Sequence, residues 1–221
     1  MKKLSIIAAC LLTVGLLGGC GTKFDAAGYT KALLDNSYKN DSTAFVSQKI
    51  GTAEEAADLY EQGLDSEMDG MLASVGSISS EQEAEFRQVF ANILAGAKYT
   101  VGEAEKQDDG SYVVTVTYEQ MKVFGPAAET YMDEVMDYAN SIQEAALAGG
   151  DIPSDDEITA AIIDMLKDCL SDSLKSVTYA SPETMTITIE FNNNEYSPNE
   201  NDLMDLEMSL FDIDDFINNL Q

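Results

Sequence analysis

The chain has 221 residues, forty acidic against twelve basic, for a formal charge of −28, and it holds no histidine and no tryptophan. That charge repels phosphate backbones and argues against nucleic acid as a partner. Without imidazole, Ser-His and Cys-His nucleophiles and His-bearing metal sites are excluded.

Lys2 and Lys3 open the chain, and Leu4 to Leu17 is an uncharged, mostly apolar run. A membrane-spanning helix needs about 20 apolar residues, so this run is short for a permanent anchor. A basic start, a short apolar core and small exit residues predict a secretory signal over residues 1–19. The exit, Leu17-Gly18-Gly19-Cys20, resembles the lipobox of bacterial lipoproteins. That resemblance implies a diacylglyceryl group on the Cys20 thiol and cleavage between Gly19 and Cys20. Two acyl chains hold a protein on a bilayer far better than one. The expected location is the extracytoplasmic face of the cell membrane, with membrane lipid the first partner. Cys10 then leaves with the signal and Cys20 carries lipid, so Cys169 has no intrachain partner. Removing residues 1–19 takes two lysines and no acid, leaving 10 − 40 = −30 on 202 residues.

Residues 20–23 read as a short tether and residues 24–221 as one domain. Asp25 can cap a helix to about Lys39, with Tyr29, Leu33, Leu34 and Tyr38 apolar. Ser42 to Lys49 offers a further turn or two. Thr52 and Glu55 fit a capping box opening a helix with Leu59, Leu64, Met68, Met71, Leu72 and Val75. Ser80 and Glu83 fit a second box, before Phe86, Val89, Phe90, Ile93 and Leu94 on one helical face. Lys98 to Lys106 reads as a strand, Asp109-Gly110 as a hairpin turn, and Tyr112 to Glu119 as an alternating strand. Gly125-Pro126 starts a helix to about Ala148, with Tyr131, Val135, Tyr138 and Ile142 on one side. Gly149-Gly150 ends it. Ser154 and Glu157 make a third box and open a helix to about Ser176. Met185, Ile187, Ile189 and Phe191 alternate with threonines and Glu190 in a half-buried strand. Asn192 to Asn194 is a turn, and Leu203, Leu206 and Leu210 suggest a last helix. Alternating strands need one covered face, so the expected class is α+β: helical hairpins on a small antiparallel sheet, with a long helical insertion between strands.

The lipobox, the Phe24-to-Tyr38 helix, the segment Ala97 to Lys106 running on through Tyr112 to Val116, the acidic helical stretch and the strand near Thr186 to Phe191 resemble a group of uncharacterised lipoproteins of Gram-positive, Clostridia-like bacteria. Such proteins look similar to NTF2-like (cystatin-like) domains. The resemblance implies helices packed into a curved antiparallel sheet. It carries no catalytic residue over to this chain.

Chemistry-bearing motifs are few. Asp155-Asp156-Glu157 lies at a helix start, where acids complement the dipole, and this outweighs a catalytic pair. Asp212-Ile213-Asp214-Asp215 could offer oxygens to Ca²⁺, but it lacks the EF-hand glycine and glutamate and reads better as a solvated acidic tail. No metal site is assigned. No Gly-x-Ser-x-Gly elbow, P-loop or Gly-x-Gly-x-x-Gly follows the signal, so no catalytic residue and no cofactor is assigned. Cys169 falls on an apolar helix face, as a buried thiol does. Met68, Met71, Met132, Met136 and Met165 read as core filler. Acids spread over three stretches without a base: Lys49 to Arg87, Lys122 to Lys167, and after Lys175. They read as a solvating surface, or as a face for a cationic peptide or protein. The expected role is a non-catalytic binding module whose small-molecule ligand, if any, is unidentified. The alternatives are a carboxylate-dependent envelope hydrolase and a cation-binding or sensing lipoprotein.

Overall fold

The computed structural model describes residues 14–15, 24–72 and 79–219. Gly19 and Cys20, the tether and Val75 lie outside the described residues.

Caps set the helices. The Asp25 side chain accepts from Gly28 N at 2.9 Å and starts α1, Ala26–Lys39, which ends at left-handed Asn40. A short α2, Thr43–Ser47, follows. The box expected at Thr52 forms: Thr52 N donates to Glu55 Oε2 (2.7 Å) and Glu55 N to Thr52 Oγ1 (3.1 Å), opening α3, Ala53–Leu72. The second box sits one residue earlier than expected. Ser79, not Ser80, caps α4, Ser80–Ala95, with Gln82 in place of Glu83. Gln82 also donates through Nε2 to Ala160 O (3.2 Å) and Asp164 Oδ1 (3.1 Å). A carboxylate has no donor for those bonds, which is the physical reason for the shift.

The strands are β1 Val14–Gly15, β2 Lys98–Lys106, β3 Tyr112–Glu119, β4 Met121–Lys122, β5 Thr178–Tyr179, β6 Glu183–Asn192 and β7 Glu195–Pro198. The main sheet is antiparallel in the order β1-β7-β6-β3-β2, and β4 pairs with β5 separately. Because β1 falls inside the segment read as a signal, the domain's own sheet has the four strands β7-β6-β3-β2. Register places Val114 opposite Ile187 and Val116 opposite Met185 on the covered face. Thr115 opposite Thr186 and Thr117 opposite Thr184 lie on the other, open face. The alternation thus meets one covered face, as half-buried strands require. Gly110 turns the β2–β3 hairpin at φ 92°, and Asn193 and Asn194 turn β6 into β7 at φ 53° and 70°.

Between β4 and β5 stand the two long helices of the insertion, α5 Phe124–Leu147 and α6 Asp155–Lys175. Ser154 and Glu157 make the expected box, and Asp155, Asp156 and Glu157 fill the first turn of α6. The chain closes with α7 Glu200–Leu210 and a further short helix, α8 Ile213–Asn219. One continuous core joins Leu34, Phe86, Val114, Ile163, Ile187 and Leu206. Phe24 stacks on Tyr196 at 3.8 Å with rings 5° from parallel, fixing the start of the domain to β7.

Candidate functional site

Acids inside the fold come first, because buried carboxylates are costly unless bonded. Asp212 is 1% exposed. Its Oδ1 accepts from Val123 N (3.0 Å) and Phe124 N (2.8 Å), and its Oδ2 from Gly125 N (3.0 Å). These are orphan donors at the start of α5, so Asp212 satisfies a helix end some ninety residues away in sequence. The approach is close: a Cβ at Gly125 would lie 3.1 Å from Asp212 Oδ2. Asp215, from the same acidic run, meets Lys122 Nζ at 3.2 Å. The run Asp212 to Asp215 is therefore not the solvated tail that the sequence suggests: its first carboxylate is buried against backbone amides, and its last meets a lysine.

Glu67 of α3 and Glu207 of α7 form a buried acid pair, 4% and 1% exposed. Burial first, then the charge and hydrogen bond of Glu207, push the Glu67 carboxyl up to about 9. At neutral pH Glu67 is protonated and donates to Glu207, while its Oε1 has no hydrogen-bond partner. Cys169 is 4% exposed, lies 3.6 Å from Glu134 Oε2, and burial followed by that carboxylate pushes its thiol up to about 12. A thiol that holds its proton so firmly is a poor nucleophile.

Clefts open on the surface among the described residues. One of about 520 Å³ lies at the domain's start, lined by Phe24, Asp25, Ala27, Glu103, Lys106 and Tyr112. Another of about 200 Å³ is lined by Tyr118, Gln120, Ser181, Glu183 and Met208. Neither is lined by Glu67, Glu207, Asp212 or Cys169.

The surface feature that stands out is α5. Its first turns are buried at Phe124, Ala127 and Ala128. From there to its end no residue is fully buried. Tyr131, Val135, Tyr138 and Ile142 are half-buried along one side, the face that the sequence marks as apolar. One residue further round the helix, Met132 and Met136 are 36% and 54% exposed. This corrects the reading of these two methionines as core filler. Met68 does enter the core and Met165 is half-buried, while the side chain of Met71 lies outside the described residues. Periodicity marks an apolar face without saying what covers all of it. Leu147 (83%) and Ile152 (61%) extend the exposed apolar surface around the α5–α6 turn.

Acids border this stripe. Glu129, Asp133, Asp137 and Glu144 are exposed at helical spacing, and among the described residues none of them joins an ion pair. The bases that flank the stretch are engaged elsewhere. Lys122 is held by Asp215, and Lys167 is shared by Glu85, Asp164 and Asp168.

No protein-family model and no curated protein sequence matches the chain. A solved structure does. The crystal structure of a candidate lipoprotein, ycdA, from Bacillus subtilis is similar over 85% of this chain, with a TM-score of 0.57 and 16% identity. What the two share is the fold. This chain spans 56% of that protein's length. Among the described residues no helix is long and apolar enough to cross a membrane.

Proposed function

We propose that the chain is a lipid-anchored extracytoplasmic lipoprotein that acts as a non-catalytic ligand- or protein-binding module. The observation that carries the binding half is the fate of the reactive groups. Glu67, Glu207, Asp212 and Cys169 are each buried and each bonded within the fold, whereas the apolar stripe of α5 is exposed. The anchoring half rests on the Gly19–Cys20 exit and is supported by the fold shared with a candidate lipoprotein. An NTF2-like kinship is part of the same proposal, supported by helices that pack on one face of an antiparallel sheet.

The hydrolase reading loses its best pair on geometry. Glycosidase carboxyls stand roughly 5–9.5 Å apart across a substrate, whereas Glu67 bonds directly to Glu207. With 4% and 1% exposure, the pair leaves no room for a sugar or an attacking water.

With three residues between Cys20 and Phe24, the lipid would hold the domain close to the bilayer. Cys20→Ser is expected either to release the protein into the medium, with at least a tenfold loss from the membrane fraction by immunoblot, or to leave a slower-migrating unprocessed precursor; a single acyl chain already binds only marginally. Unchanged fractionation and migration would contradict the anchor.

A further inference from the structure

We infer that the outer face of α5 is a docking site for a cationic amphipathic helix of a partner protein, laid alongside Met132, Met136 and Leu147. This rests on the binding-module reading and names its surface and partner class.

Three observations converge. The face is apolar and open, with Met136 at 54% and Leu147 at 83% exposure. Exposed methionine is soft and unbranched, and it adapts to varied apolar partners. The face is one-signed, since Glu129, Asp133, Asp137 and Glu144 lie exposed along it and α5 carries no lysine or arginine. Finally, Glu129, Asp133, Asp137 and Glu144 hold no ion pair among the described residues, so their charge is available. An incoming helix would set apolar residues at i, i+3, i+4 and i+7 onto the methionines, with lysines or arginines over the acids. α5 already packs its other side on α6, so such a helix would extend the helical layer by one member. A second copy of this chain is disfavoured, because two such acid ridges would meet.

The test uses the full-length chain in phosphatidylcholine nanodiscs, with empty discs subtracted. The probe is a fluorescent 18-residue Lys/Leu peptide of helical period, beside a scrambled peptide of the same composition and a Glu/Leu analogue. Binding is read by anisotropy. The periodic Lys/Leu peptide is expected to bind at least tenfold tighter than either control. Met132→Ser with Met136→Ser should weaken it about tenfold, in keeping with loss of central apolar anchors. Asp133→Asn with Asp137→Asn should weaken it about threefold at low salt and little at high salt. All four positions are exposed, so the fold is not at stake. Equal binding of the scrambled peptide, or no effect of the methionine pair, would overturn the proposal. So would self-association of the chain that the methionine pair abolishes. The anchor is decided by its own experiment, the Cys20→Ser fractionation, so failure of the peptide leaves it standing.

Discussion

Asp212→Ala is expected to destabilise the domain by about 3 kcal/mol or more, because each buried backbone donor left without an acceptor costs roughly 1–3 kcal/mol. Three such donors are involved: the amides of Val123, Phe124 and Gly125. They sit where β4 ends and α5 begins, so the loss strikes the junction of sheet and helical insertion. Asp212→Asn is the informative companion. It keeps one acceptor oxygen and nearly the same volume, but it turns an NH₂ group toward one amide. Its expected cost is intermediate, about half that of alanine. Urea midpoints for the two variants check the order. If alanine and asparagine both unfold at the parent's midpoint, the buried cap contributes nothing and the account of α5 is wrong.

The second large effect concerns pH. Glu67 carries a proton in the folded state up to about pH 9, whereas its ordinary value is 4.5. Between those limits the native chain binds a proton that the unfolded chain has released. Stability is therefore greatest at low pH and falls as pH rises through the window, by at most about 1.4 kcal/mol per unit for one proton. From pH 6 to pH 9 the expected loss is about 2–4 kcal/mol, or roughly 5–10 °C in Tm for a chain of this size. General repulsion among forty acids adds its own slope, so the variant decides. Glu67→Gln gives Glu207 a neutral amide donor and removes the titration. Its Tm should fall less than the parent's over the same range. Parallel curves for the two proteins would show that the pair does not share its proton as described.

Much of the architecture was legible because it is written locally. Asp25, Thr52 and Ser154 announce helix starts through side chains that bond within three residues. The alternation in β3 and β6 names the covered face directly. What sequence alone misses is written at a distance. β7 is four residues long and contains Pro198, so it has too little pattern to stand out until it pairs with β6. β4 and β5 are two residues each. Asp212 and its amide partners are 87 to 89 positions apart, and Glu67 and Glu207 meet from positions 207 − 67 = 140 apart in sequence. Forty carboxylates give no hint which of them are buried. The box falls at Ser79 rather than Ser80, and its Gln82 also bonds to Asp164 on another helix, a contact that no local pattern announces. The candidate surface lay half in view. The apolar period of α5 was evident, while the exposure of Met132 and Met136 depends on α6 covering only one side.

The proposed lipid at Cys20 would hold this acidic domain on the membrane with its exposed surface free to bind. The most direct measurement is mass spectrometry of the N-terminal tryptic peptide from protein extracted out of native membranes. The account predicts a peptide of Cys20 to Lys23 carrying a diacylglyceryl thioether, with nothing preceding Cys20. A peptide that runs through Gly19 into Cys20, or one that begins at Cys20 with a free thiol, would contradict it.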